Sequence, residues 1–118
     1  MVSAWWNGWP HWQPVPLEML PQTGLIVSKD GVDVCAVWIH RMDCCVCLAD
    51  WWISNPETRG EAREGCLEFL MEIVEQEARA MGFAGVVTLA RNQHLINKLE
   101  SAGYAGKDGH VTSLIRML

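Results

Sequence analysis

The stretch of sequence that decides the fold runs Asn55-Pro56-Glu57-Thr58-Arg59-Gly60-Glu61-Ala62-Arg63-Glu64-Gly65. It follows a strand-like apolar run at residues 48–53, and it precedes a segment whose apolar residues recur at helical spacing. A strand, a short turn rich in Arg and Gly, and then a long helix are how α/β proteins present backbone N–H groups to a phosphate. The sequence therefore predicts an α/β fold with an anion site at this turn.

The same turn also has a purely structural interpretation. Asn55 would cap a helix with Pro56 at its first position, or Thr58 would form a capping box with Glu61 three residues later. Acidic residues in a first helical turn are ordinary partners of the helix dipole. The turn by itself leaves both interpretations open.

The residues before the turn predict strands. The predicted strands lie at residues 25–28, 32–41 and 45–53. Asp30-Gly31 is a hairpin signal between the first two. The third is apolar on both faces, as expected at the centre of a covered sheet.

The residues after the turn predict a long helix over residues 59–81, which Gly82 ends. The further predicted elements are a strand at 85–89, a helix at 91–102 and two strands at 104–106 and 111–117. Because a helix crosses between them, the strands at 48–53 and 85–89 should be parallel. The predicted order is β-β-β-α-β-α-β-β.

The composition indicates one domain with a packed core. The 118 residues are 50% apolar and 19% charged, and the net charge is −5. This balance argues against general DNA or RNA binding, which needs a basic surface. We expect the domain to span residues 24–118, with a Trp- and Pro-rich segment at residues 1–23 that packs on it or extends from it.

The N-terminal segment carries Trp5, Trp6, Trp9 and Trp12. These side chains could cover the sheet as core, line a substrate groove, or anchor a host protein or a second copy of the chain. We expect some of them to form an exposed patch that binds such a partner. Because the first twenty residues lack Lys and Arg and are broken by prolines, they match neither a signal peptide nor a membrane span, so we expect a cytoplasmic protein.

The cysteines indicate a reducing compartment. Five are present, and three crowd together in Cys44-Cys45-Val46-Cys47. No second Cys/His pair stands at zinc-ligand spacing, so an incidental thiol cluster without metal is expected.

Two motifs together resemble the Gcn5-related N-acetyltransferase (GNAT) family. Arg59-Gly60 resembles the start of the family's acyl-CoA loop. In the second helix, Asn92 and Gly103-Tyr104 fall on the family's Asn and Gly-Phe. The resemblance covers residues 24–118, from the family's second strand onward. Small phage-encoded GNAT-like proteins are similar in their compact length and Trp-rich start.

The resemblance implies a GNAT-like mixed sheet with flanking helices, truncated N-terminal helices, and acetyl-CoA or another acyl-CoA as cofactor. The residues that it places at the cofactor are Ile53, Asn55, Arg59, Gly60, Ala62, Arg63, Gly65 and Asn92. Two of these keep alternatives: Ala62 replaces a family glycine, and Asn92 could simply cap its helix. Glu64 departs further, because it brings a carboxylate towards the phosphates.

The catalytic residue that the resemblance implies is Asp50, close to the family's base. Burial beside Trp51 and Trp52 would raise its pKa towards a useful value, although an ordinary strand position is the alternative. The family's Tyr acid falls on Leu99, which also fits a helix core position. The substitutes for the missing acid or base are three lone histidines that could equally be structural: His40, His94 and His110.

Two functions follow. The first is an acetyl-CoA-dependent N-acyltransferase that acts by direct transfer on an unknown small-molecule or protein amine. The second is a catalytically degenerate GNAT scaffold, perhaps of phage type, that docks on a host protein and alters it. Neither function involves nucleic acid, a membrane or a metal.

Overall fold

Four strands form one mixed sheet whose spatial order follows the sequence. They are β1 (Gly24–Lys29), β2 (Val32–His40), β3 (Val46–Ser54) and β4 (Gly85–Thr88). The first three pair antiparallel, and β3 pairs with β4 in parallel, as predicted. The computed structural model that shows this describes residues 2–9, 17–116 and 118.

Local sequence signals explain the ends of these elements. Asp30 and Gly31 both adopt positive φ, at 53° and 80°, as a two-residue hairpin turn requires between β1 and β2. Gly82, at φ 92°, follows the long helix and stops it. Both turns were predicted from the sequence.

Three α-helices flank the sheet in the part of the chain that the structure describes. They are α1 (Val2–Asn7), α2 (Cys66–Ala80) and α3 (Gln93–Ser101). Helix α2 makes the crossover from β3 to β4, and its predicted apolar stripe, including Leu70, Val74 and Ala78, is buried. Among the described residues, none of the helices has the length and apolar character needed to cross a bilayer.

Both faces of the sheet are covered. On one side α2 and α3 pack over β2 and β3 around Val37, Ala49 and Trp52; we call this the helix-side core. On the other side, Trp5 and Trp6 of α1 pack against residues of β2 and β3. We call this the tryptophan cluster, and its buried members are Trp5, Trp6, Ala36, Trp38 and Ile53. Strand β2 is therefore buried continuously from residue 34 to residue 39.

The tryptophan cluster places two of the four N-terminal tryptophans in the core, whereas some of the four were expected to form an exposed aromatic patch. Trp6 is 1% exposed and stacks on Trp38 with ring centroids 5.6 Å apart, and Trp5 is buried beside it. Among residues 2–9 and 17–116, α1 is the α-helix that packs on this face of the sheet, and its tryptophans cover the face. Trp9 is half-buried, and Trp12 lies outside the described residues.

A bulge interrupts β3 at Trp51. Ala36 of β2 faces Ile53, and Trp38 faces Asp50, so Val37 opposes two residues, Trp51 and Trp52. Trp51 has a positive φ of 59°, a conformation that is unfavourable for a bulky side chain. The extra residue lets Ala49 and Trp52, three positions apart, both face the helix-side core.

Three predicted elements differ from the structure, namely the start of one helix and two strands. Helix α2 begins at Cys66, not residue 59, because residues 55–65 form turns and a 3-10 segment at Gly60–Ala62. In the described residues 102–116 and 118 there are no strands where two were predicted. The turn there does form, with His110 N–H donating to Asp108 Oδ1 at 2.9 Å. Its flanks stay unpaired because a two-stranded hairpin without a packing face is marginal in water.

Candidate functional site

A gap opens where β4 stops and β3 continues. The last parallel partners are Ala49 and Thr88, and β3 runs on to Ser54 without a neighbour on that side. Such a position, at the carboxyl end of parallel strands joined by a crossover helix, is where open α/β sheets bind ligands. We call the resulting cavity of about 250 Å³ the cleft. Its lining residues are Trp9, Trp52, Ile53, Ser54, Arg63, Leu67, Asn92, His94 and Leu95.

Asn55 organises the turn that follows β3. It is buried, and its side-chain Nδ2 donates to the Asp33 carbonyl at 2.9 Å while its Oδ1 accepts from Glu57 N–H at 3.0 Å. Its carbonyl accepts from both the backbone N–H and the hydroxyl of Thr58. Asn55 therefore shapes the turn rather than capping a helix, and the predicted Thr58–Glu61 capping box is not formed.

Arg59 and Arg63 bring two positive charges together beside the cleft. The guanidinium of Arg63 donates to Thr58 Oγ1 and to the Asn55 carbonyl, each at 2.9 Å, and Arg59 donates to the Thr58 and Pro56 carbonyls. Within the described part of the chain, neither forms an ion pair with a carboxylate. Burial, and secondly the charge of Arg59, lower the pKa of Arg63. The turn therefore presents two guanidiniums without an ion pair among the described residues, and Glu57, Glu61 and Glu64 of the same turn offset part of their positive field.

The glycines of the turn leave space in front of this field. Gly60 and Gly65 have φ of 54° and 75°, and a Cβ added at either would meet nothing within 4 Å. Gly65 precedes the first residue of α2, and no side chain caps the amides of that helix. Ala62 and Glu64 are exposed beside them. An uncapped helix start, open glycines and two guanidiniums fit the requirements of a phosphate.

Lys29 is a contact of the turn that sequence reasoning missed. Its Nζ donates to the carbonyls of Glu61 at 2.7 Å and Glu64 at 3.3 Å, across 32 and 35 residues of sequence. Its place at the end of β1, in a hairpin that looked purely structural, gave no local signal. Lys29 adds a third cation to the turn.

Asp50 lies just past the part of β3 that pairs with β4, still opposite Trp38 of β2 and outside the cleft lining. Its Oδ1 accepts from the Trp51 N–H at 2.7 Å. Burial raises the pKa of Asp50, as predicted, while the Trp51 N–H, Arg91 and His40 oppose the rise. The structure therefore provides a carboxylate that holds a proton more readily than usual, one position past the end of the β3–β4 pairing.

His40 is the histidine whose charge acts on the pKa of Asp50. Burial lowers the pKa of His40, and Asp50 partly offsets this. The imidazole packs edge-on against Trp51, with ring centroids 5.0 Å apart, and its buried Nε2 has no hydrogen-bond partner in the described chain. His94 lines the cleft, whereas His110 is in the exposed C-terminal turn.

The second helix keeps the structural features that were predicted for it. Asn92 caps α3, accepting from Leu95 N–H at 2.8 Å, and also lines the cleft. Leu99 is buried in the helix-side core. Gly103 has a positive φ of 102°, and Tyr104 packs against the same core, where burial raises its pKa to about 12.

A larger groove of about 680 Å³ lies between α2, β4 and α3. None of the residues predicted for cofactor or catalysis lines it. Four of its five charged side chains pair with each other, since Lys98 contacts Glu68 and Arg79 contacts Glu75, and only the acidic Glu72 is left over among the residues that line it. We therefore place the candidate site at the smaller cleft, where the unpaired charges are.

The thiols do not assemble into a metal site in the described residues. Cys44 and Cys45 are exposed in the loop before β3, whereas Cys47 is buried within the strand.

The fold is shared with known acetyltransferases. No protein-family model and no curated protein matches the sequence. Among solved structures, a Trypanosoma brucei acetyltransferase superposes with a TM-score of 0.58 at 14% identity, over 78% of this chain and 68% of that one. A ribosomal-protein-alanine N-acetyltransferase from Brucella melitensis gives 0.57 at 19%, over 80% and 68%. An aminoglycoside N-acetyltransferase in complex with CoA gives 0.55 at 16%, over 80% and 75%. The chain therefore has a GNAT-type fold, with the cleft at its open parallel pair.

Proposed function

We propose that this chain binds an acyl-CoA in the cleft and transfers the acyl group to an amine. The observation that carries the proposal is that Arg59 and Arg63 lie together at the open carboxyl end of β3, and that neither forms an ion pair among the described residues. A pyrophosphate would gain both guanidiniums and the uncapped start of α2. The shared fold supports the same assignment, because one of the similar structures contains CoA.

The cofactor would supply a thioester whose carbonyl carbon accepts the amine. In direct transfer the amine nitrogen bonds to that carbon, the carbon–sulfur bond breaks, and the thiolate leaves. Asp50 would take the proton that the amine loses, directly or through a water molecule. Leu99 offers no proton to the leaving thiolate, so that proton would come from solvent. Asp50 must be ionised to act, and burial, which raises its pKa, would make the ionised carboxylate a stronger base.

A titration of the full-length chain with acetyl-CoA tests the anion site. Arg59→Gln and Arg63→Gln should each weaken binding by about tenfold, the scale of one hydrogen bond to a charged group. Arg79→Gln is the matched control, because Arg79 is an exposed Arg on α2 that pairs with Glu75 away from the cleft. Equal affinity in all three variants would remove the phosphates from this turn.

Transfer itself needs a separate measurement. The chain would be incubated with acetyl-CoA and a panel of small amines and peptides with free amino groups, and products would be identified by mass. Titrations with free CoA and with longer acyl-CoAs would show whether the acetyl group is preferred. Binding without any acylated product would leave a CoA-binding protein rather than an enzyme.

The second candidate is a scaffold of the same fold that docks on a protein, perhaps a host protein of a phage, without acylating it. Leu99 in place of an acid and Trp9 inside the cleft favour it. This candidate predicts that no acyl-CoA binds at any concentration, so the same titration separates the two. We propose a cytoplasmic location for both candidates, because exposed free thiols such as Cys44 and Cys45 persist in a reducing compartment.

A further inference from the structure

The cleft contains a side chain of the chain's own N-terminal segment. Trp9 lines the cavity together with Arg63 and Asn92. Its indole Nε1–H donates to the Ser54 carbonyl at 2.9 Å, across 45 residues of sequence. Its ring also lies against both cations, 5.8 Å from Arg59 Cζ and 5.5 Å from Arg63 Cζ.

The Ser54 carbonyl is the backbone acceptor that β3 offers to the open side of the sheet. Ser54 faces Cys35, and the next residue, Asn55, donates its N–H to Val34 O at 2.7 Å. Because backbone groups alternate along a strand, the N–H and carbonyl of Ser54 point away from β2, into the gap beyond the end of β4. An extended ligand in the cleft would pair with these groups as an added strand would. The Trp9 indole N–H already donates to the Ser54 carbonyl, so this acceptor is occupied.

The N-terminal helix holds Trp9 in place. The Trp9 N–H donates to the Trp6 carbonyl at 3.2 Å, directly after α1, and Trp6 is fully buried. Gly8 packs on the turn so closely that a Cβ there would lie 2.5 Å from Pro56 Cγ. The fold is therefore built so that the segment meets the turn at Gly8 and inserts the next side chain.

The remaining space is small. The cleft of about 250 Å³ is below the roughly 300–1,000 Å³ usual for drug-sized ligands, and an acyl-CoA is larger than those. The two guanidiniums that a pyrophosphate would use lie against the indole ring, an arrangement that is favourable for a cation. Occupancy by Trp9 and by a phosphate-bearing ligand would compete for the same atoms.

We propose that Trp9 is an intramolecular competitor for the acyl-CoA cleft, so that the ligand binds only when the N-terminal segment withdraws from Ser54. This inference rests on the proposed function. The apparent dissociation constant is then the intrinsic one divided by the fraction of molecules with an open cleft. Removal of the competitor should therefore tighten binding, the opposite of what removal of an ordinary contact does.

The test is calorimetric titration of the full chain with CoA in four variants. Trp9→Ala should bind about tenfold or more tightly than the unaltered chain, and Trp9→Phe, which keeps a ring but loses the N–H donor, should fall between them. Gly8→Ala keeps the indole but pushes the segment off Pro56, so it should also tighten binding. Phe69→Ala, at an exposed aromatic outside the cleft lining, is the control and should change nothing.

The outcomes separate the two proposals. Measurable binding with the same affinity in all variants overturns the competition and leaves the proposed function standing. Weaker binding in Trp9→Ala overturns it too, because Trp9 would then be a ligand contact. No binding in any variant overturns both. Should Trp9→Ala fail to fold, judged by its circular dichroism, Gly8→Ala and Trp9→Phe carry the test alone.

Discussion

The Trp52 indole N–H donates to the Thr88 hydroxyl at 2.8 Å, and that hydroxyl donates to the Ala49 carbonyl, also at 2.8 Å. Ala49 and Thr88 are the last partners of the parallel pair. One hydroxyl therefore closes the ladder where β3 and β4 separate, and it fixes the ring that lines the cleft.

Thr88→Val should destabilise the fold by about 2 kcal/mol, because a buried indole N–H and a carbonyl both lose their partner. Urea unfolding followed by fluorescence would measure the change. Thr112→Val, at an exposed position in the C-terminal segment, is the control and should stay within about 0.5 kcal/mol of the unaltered chain. Equal unfolding midpoints for the two variants would mean that the bridge does not support the sheet.

Asp50→Asn should affect turnover and stability in opposite directions. With its raised pKa, Asp50 binds a proton more tightly in the folded chain than at its ordinary pKa of 3.8, so its ionisation costs stability as pH rises through the folded value. The amide avoids this cost, and its oxygen can still accept from Trp51. We expect a higher melting temperature at pH 7, a smaller loss of stability as the pH rises above 3.8, and turnover lower by about 10²-fold.

Asp43→Asn, in the exposed loop before β3, serves as the control and should leave both profiles unchanged. Full activity in Asp50→Asn would remove this carboxylate from the mechanism.

Glu64→Gln should tighten acyl-CoA binding by about fivefold, because a like charge at close range costs about 1 kcal/mol near a solvent-exposed phosphate. The effect should shrink at high salt. Titrations at two salt concentrations would measure it, with Glu72→Gln further along α2 as the control. If Glu64→Gln and Glu72→Gln behave alike, the phosphates lie away from Gly65.

Trp6→Ala should destabilise the chain by about 3–5 kcal/mol, the usual cost of a large aromatic lost from a core. Trp6 is almost fully buried and stacked on Trp38. Deletion of residues 1–12 should be at least as damaging, because Trp5 goes with it. Thermal melts would decide, and an unchanged melting temperature would mean that α1 is dispensable.

Two of the five thiols should react quickly with an aromatic disulfide reagent. Cys44 and Cys45 are exposed, whereas Cys35, Cys47 and Cys66 are buried, and burial raises the pKa of Cys35 to about 12. The colour released in native buffer should thus correspond to two equivalents, followed by a slow phase on unfolding. A Cys44→Ser, Cys45→Ser double variant should lack the fast phase. A third fast equivalent would mean that a buried thiol becomes accessible in the native protein.

Features that depend on neighbouring residues were predictable from the sequence. The Asp30-Gly31 turn, the stripe on α2, the parallel pair and the burial of Leu99 follow from local chemistry and chain order. The start of α2 was missed because the buried Asn55 side chain satisfies the backbone of its turn, and propensities do not register such contacts.

Features that depend on distant residues were not predictable. The sequence around Trp9 does not indicate its hydrogen bond to Ser54, and the sequence around Lys29 does not indicate its hydrogen bond to Glu61. Both contacts exist only once the sheet is formed. The tryptophans were expected partly at the surface because the sequence does not reveal that a whole face of the sheet lacks another cover. The anion site could be proposed from the sequence because Arg59, Arg63 and the two glycines share one short turn.

The bulge at Trp51 adds one residue to β3 and thereby shifts the alternation of side chains along the rest of the strand. Every side chain after it points to the face opposite the one that strict alternation would give, so Trp52 reaches the helix side and Ile53 the tryptophan side. Deletion of this one residue would move Trp52 to the tryptophan side and Ile53 to the helix side, and would therefore change how these two side chains line the cleft. The length of β3 at this point is therefore more constrained than the identity of the residue that occupies it.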